Sequence, residues 1–175
     1  MTREEIKKLA LEAGFDYAED LDINTLKPLQ DIMDTCATNK CGAFGKNWGC
    51  PPHGTLEENE AKLKSYKNGI IIQVVGRAKD DMDFEFYTEA GVRFRECLSK
   101  LYAQLKPELP GCIALGAGGC KVCKECARPE PCRLPEKRIE ALEGYGIFIT
   151  QLCKGNNVQY YYGPNTIAYT GAVLW

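Results

Sequence analysis

Four cysteines within thirteen residues, Cys120-x2-Cys123-x2-Cys126-x5-Cys132, constrain this chain more than any other feature. Spacers of two residues let successive thiolates converge on one inorganic core, while the intervening amides can donate hydrogen bonds to its sulfides. That is how a chain wraps an iron–sulfur cluster. A second group, Cys36-x4-Cys41-x8-Cys50, runs into Pro51, Pro52 and the only histidine, His53. Seven of the ten cysteines therefore fall in two loops, 36–53 and 118–135, and metal binding is the first expectation.

The competing use of an even number of cysteines is a disulfide framework. The start, Met1 to Lys8, carries acidic residues with no apolar stretch behind it, which argues against a secretory signal. The longest apolar run, Gly69 to Val75, is far shorter than the ~20 residues of a membrane helix. A cytoplasmic protein without membrane contact is expected, and in that compartment thiols rarely persist as structural disulfides. With 175 residues the chain can bury a core without cysteine staples, and one domain over 1–175 is the simplest organisation.

A net charge of −2 gives no global attraction to nucleic acid, so no nucleic-acid partner is expected. The charge is uneven, however. Lys121, Lys124, Arg128, Arg133, Lys137 and Arg138 outnumber Glu125, Glu130 and Glu136 around the second cysteine group. Thiolates on a metal core leave it net negative, so these cations would offset it, or dock an acidic redox partner protein.

Elsewhere the patterning is mixed. Thr2 and Glu5 form a capping box for a helix ending at Gly14, with Ile6, Leu9, Ala10 and Ala13 on one face. Thr55 and Glu58 open a second helix, expected to reach Asn68. A third is expected over 84–106, with Tyr87, Ala90, Phe94, Cys97, Leu98, Leu101 and Leu105 at helical spacing. Pro135 would open a fourth, to Leu142. Strands are expected at 70–75, 113–116 and 147–152, with a hairpin of 158–162 and 167–174, and residues 15–54 read as loop. The fold class that follows is α/β or α+β: one layered domain with a mixed sheet flanked by helices, carrying its cysteines in loops.

Within the second group, Cys132 follows Pro131 and can return to the same core, or one of Cys36, Cys41 and Cys50 can complete it. Four-thiolate zinc is the alternative to a cluster, although zinc ribbons pair two C-x2-C knuckles across a longer stretch. In the first group, Gly42, Gly45 and Gly49 allow tight turns, Trp48 could shield a site from water, and His53 could make a Cys3His zinc site. Cys97, Cys112 and Cys153 read as small buried hydrophobes, Cys112 also as a spare ligand. The Gly116–Gly119 stretch is followed by Cys120 and not by Lys-Ser/Thr, so it is no phosphate loop.

Two stretches together, Cys41-x3-Gly45-Lys46-x-Trp48-x-Cys50-Pro51-Pro52 and Gly118-Gly119-Cys120-x2-Cys123-x2-Cys126-x5-Cys132-x2-Pro135 with the following Glu143–Ile147 segment, carry a resemblance. The chain resembles a cysteine-rich microbial family described as predicted metal-binding proteins, to which no reaction is assigned. The resemblance spans most of the chain. It implies that Cys36, Cys41, Cys50, Cys120, Cys123, Cys126 and Cys132 are metal ligands.

The function expected is therefore that of a cytoplasmic protein holding one or two 4Fe–4S clusters, the first at Cys120, Cys123, Cys126 and Cys132, in electron transfer. Two alternatives stay open. Three cysteine ligands at the first group would leave one iron free to activate a small substrate, making the protein an enzyme. Zinc would instead make it a structural module that binds a partner.

Overall fold

Residues 1–80 and 82–175 are described by a computed structural model of the chain. Helix α1 (Arg3–Ala13) begins at the expected capping box and ends on Gly14, whose φ of 112° is left-handed. Its face of Ile6, Ala10 and Ala13 is buried. Helix α4 (Phe86–Leu105) follows the apolar periodicity of its segment, except that Tyr87 faces solvent. Strand β2 (Gly69–Arg77) is buried on both sides over nearly its whole length, as an unbroken β-branched run requires.

The described strands form one mixed sheet in the order β1-β2-β5-β3-β4, with β1 (Tyr17–Asp20), β3 (Ile113–Gly116), β4 (Ile139–Ala141) and β5 (Thr166–Leu174). Only β3 and β4 run parallel; the other pairs are antiparallel. Helices cover both faces. Ile70, Ile72, Val74, Ala114 and Val173 pack with α1 and α4. Ile71, Leu115, Ala172 and Leu174 face Leu63 of α3 (Leu56–Lys64) and Leu152 and Cys153 of α5 (Ile149–Gly155). The expected α/β architecture is present.

Several elements differ from expectation. Residues 15–54 are not all loop: they contain β1 and α2 (Gln30–Ala37). Strand β1 has no apolar alternation, because it is an edge strand fixed by pairing from Tyr17↔Gln73 to Asp20↔Ile70. Helix α2 has no buried residue; its start is tied where the Leu29 amide donates to the Gly146 carbonyl at 2.9 Å. Helix α3 stops at Lys64, short of Asn68. The amides of Lys67 and Asn68 already donate to the Trp175 carbonyl, so extended pairing begins before Gly69.

The helix expected from Pro135 is a 3-10 turn over Pro135–Lys137 followed by β4, whose three residues are all buried; Glu140 among them hid the strand. The segment expected as a strand at 147–152 is mostly α5, with Leu152 and Cys153 buried between exposed Gln151 and Lys154. The hairpin is absent as well: β5 pairs with β2 and β3, and Val158–Tyr162 forms no strand. Tyr162 instead donates its hydroxyl to buried Gln73 at 2.8 Å and stacks on Tyr17 at 5.3 Å. Gln73 in turn donates to Thr170 Oγ1 and the Gln159 carbonyl, so a polar residue in the central strand is fully engaged.

Candidate metal centre

The two cysteine groups lie on separate connections that the sheet brings together. The first starts at Cys36 in the last turn of α2, so the expected 36–53 loop opens in a helix, and continues with Cys41 and Cys50 in the link from α2 to α3; the second occupies the link from β3 to β4. The Ala141 amide of β4 donates to the Gly49 carbonyl at 2.7 Å, stitching the first loop to the strand that follows the second. A β-carbon on Gly49 would stand 2.5 Å from the Cys120 amide nitrogen, and one on Gly119 would overlap the Cys50 sulfur. Neither position admits a side chain. These glycines serve close approach of two backbones.

Polar contacts complete the junction. Asn47 Nδ2 donates to the Cys120 carbonyl at 3.3 Å, while Asn47 Oδ1 accepts from the Gly49 amide at 2.8 Å. Trp48 Nε1 donates to the Glu130 carbonyl at 2.8 Å. Arg128 donates from Nη1 to the carbonyls of Asn47, Cys50 and Pro51 at 3.0, 3.1 and 3.4 Å. The peptides before Pro52 and Pro129 are cis.

Around this junction is a cavity of about 300 Å³ whose walls include Cys41, Cys120, Cys123, Cys126 and Cys132. Thiols of both groups thus face one space. Trp48 forms part of the wall, and Lys46, Lys121, Lys124, Arg133 and Arg138 supply its positive charge. The Trp48 amide donates to Cys126 Sγ at 3.4 Å. Burial raises the Cys126 pKa, but amides of Arg128, Trp48 and Ala127 outweigh it and hold the thiol below its ordinary value. Donors aimed at a sulfur favour thiolate, the form that binds metal.

Cys36 and Cys50 stand apart from that wall. Cys36 Sγ donates to the Glu143 carbonyl at 3.7 Å, and burial, then the Glu143 carboxylate and Cys41, push its thiol up. Burial likewise raises Cys50, with Cys41 and Cys36 adding to it. The carboxyl of Glu143 is raised by burial against the opposing amides of Glu143 and Gly118, and its Oε2 is buried without a hydrogen-bond partner. Among the described residues, no three His, Cys, Asp or Glu side chains converge closely enough to hold a single metal ion.

His53 does not face the cavity. Its ring stacks on Tyr145 at 4.5 Å, and burial lowers its pKa to about 4. Tyr145 donates to buried Glu140, which also accepts from Lys62 at 3.0 Å and pairs with Arg138 at 2.5 Å. Glu140 thereby positions one of the cations lining the thiol cavity. Cys97, Cys112 and Cys153 are buried in the two cores, as expected, and none lines the cavity. Spacing revealed the cysteines. It did not reveal the contacts of Asn47 and Arg128 with the facing loop, or the ion pair of Glu140 with Lys62, which join residues 73 to 81 positions apart.

No helix is long and apolar enough to cross a membrane among the described residues. A family model described as "Predicted metal-binding protein (DUF2284)" matches residues 19–175. No curated protein and no solved structure matches the chain.

Proposed function

The chain belongs to that family of predicted metal-binding proteins, and from this premise we propose that it is a cytoplasmic iron–sulfur protein of electron transfer, with a 4Fe–4S cluster at Cys120, Cys123, Cys126 and Cys132. The observation that carries the proposal is the cavity of about 300 Å³ with five thiols spread over its walls. A tetrahedral zinc with Zn–S bonds near 2.3 Å needs its four sulfurs about 3.8 Å apart. Five cysteines lining one space, with no three converging as a single-ion site among the described residues, suit a polynuclear core ligated at its corners.

When bound, such a cluster supplies one-electron redox chemistry. The chain's own contributions are legible. Amides held by the Trp48 and Arg128 backbone donate to Cys126 and stabilise its thiolate. Trp48 covers one side, and the cations around the opening raise the reduction potential, because reduction adds negative charge. The same cations favour docking of an acidic partner protein.

Metal and sulfide analysis of protein purified without oxygen tests the reading. About four irons and four sulfides per chain, with absorbance that bleaches on reduction, are expected for one 4Fe–4S centre. One zinc per chain without sulfide would replace the redox reading with a structural zinc module.

A further inference from the structure

The thiol cavity is one-sided in charge. Lys46, Lys121, Lys124, Arg133 and Arg138 stand among its five cysteines, and no aspartate or glutamate is found among the described residues of its lining. The side chains of Lys46, Lys121 and Lys124 make no hydrogen bond or ion pair among the described residues. Arg133 donates to a carbonyl, that of Glu125, so its charge is uncompensated. Arg138 is the exception. It pairs with Glu140, which is buried and fixes the guanidinium from behind.

A cleft lined by one sign of charge concentrates ions of the opposite sign and slows the entry of its own. An unligated thiol is largely neutral at pH 7, so the cations are at most partly offset before metal arrives. A hydrated divalent ion approaching the opening therefore meets a field of its own sign. An anion is drawn in.

We propose that the cavity takes up its metal as an anionic thiolate complex, supplied by ligand exchange from a thiol carrier, and not as the free hydrated ion; the identity of the cargo rests on the iron–sulfur reading above, its form on the charge of the cavity. In the exchange, each cavity thiol that binds replaces one external thiolate on the metal. The displaced thiolate leaves with the proton of the incoming thiol, and no electron moves. A cluster core held by small thiolates is a net anion, which the cations attract, whereas the thiols released are neutral and are not retained.

Two measurements on the full chain stripped of metal test this. Neither hydrophobic core contains a cysteine of the cavity, so the stripped chain should keep its fold, which circular dichroism verifies. The first follows cluster absorbance without oxygen, with a 4Fe–4S cluster carried by mercaptoethanol compared with ferrous ion and sulfide at equal iron. The anionic complex should load faster than the free ion, and about tenfold more slowly at high salt than at low. The exposed double variant Lys46→Glu/Lys124→Glu should slow it by a similar factor. Lys27→Glu/Lys154→Glu makes the same change in net charge at exposed residues outside the lining and should load like the parent. The second measurement needs no cluster. Labelling of the thiols by the anionic dithiobis(nitrobenzoate), relative to neutral dithiodipyridine, should fall about fivefold in Lys46→Glu/Lys124→Glu. Loading of the complex that ignores both salt and Lys46→Glu/Lys124→Glu, or that is slower than loading from the free ion, overturns the proposal. If neither source yields a cluster, the iron–sulfur reading fails and the labelling ratio decides: a fall supports anionic entry, and an unchanged ratio overturns it.

Discussion

The guanidinium of Arg128, in the second cysteine loop, lies over the indole of Trp48 in the first, 4.9 Å from the ring centroid. The two groups the sequence presents as separate are clasped by this one side chain, which also bonds three carbonyls of the facing loop.

Arg128→Ala should accordingly cost about 2 kcal/mol, since charged hydrogen bonds are lost and the carbonyl of buried Cys50 loses its donor. Arg128→Lys should recover little of it, because an ammonium has neither the planar fork nor the stacking surface. Urea unfolding at fixed metal content measures both.

Gly119→Ala drives a β-carbon into the Cys50 sulfur. A loss of about 1–3 kcal/mol is expected from this overpacking, together with reduced metal retention. Gly111→Ala, where nothing stands within 4 Å, serves as the neutral control in the same thermal melts.

His53 gives stability a pH dependence with a definite sign. Its folded pKa, about 4, is below the ordinary 6.5, so the unfolded chain takes up the proton first. Stability is intact above pH 6.5, falls as pH drops toward 4, and levels off below, for a total of about 3 kcal/mol. His53→Phe keeps a ring against Tyr145 and should flatten this limb in urea melts run from pH 7 to 4. It should also leave metal content unchanged, because the imidazole faces Tyr145 and not the thiols.

The cysteines should divide by location. Cys126→Ser is expected to remove most bound metal, as Cys126 lines the cavity and its sulfur accepts the Trp48 amide. Cys97→Ala and Cys153→Ala, in the two cores, should keep the metal and cost about 1 kcal/mol of packing each. Metal assays and melts on the three variants separate ligand from filler.

Much of the fold was legible where local pattern and tertiary demand agree. Helix α1 announces itself through Thr2 and Glu5, α4 through six buried positions in register, and β2 through Ile70 to Val75. The elements missed are short and depend on neighbours. Strand β4 hides because buried Glu140 is stabilised by Lys62 and Arg138, which lie 78 and two residues away. Helix α5 was obscured by Ile147, Phe148 and Ile149, an apolar triplet that suits a strand equally well. At the site, cysteine spacing identified the thiols, but only the folded chain separates Cys41, which lines the cavity, from Cys36 and Cys50, which do not.

Strand β5 is the seam of the sheet, joining β1-β2 on one side to β3-β4 on the other. The ribosome delivers it after both cysteine loops. Until residues 166–174 emerge, the two halves of the sheet have no common strand, and the cysteine segments lack the frame that joins them. The order is fixed in time: nascent chains carry the cysteines well before they carry the frame that aligns them. That interval is when the thiols are most open to oxidation or to capture of the wrong ion.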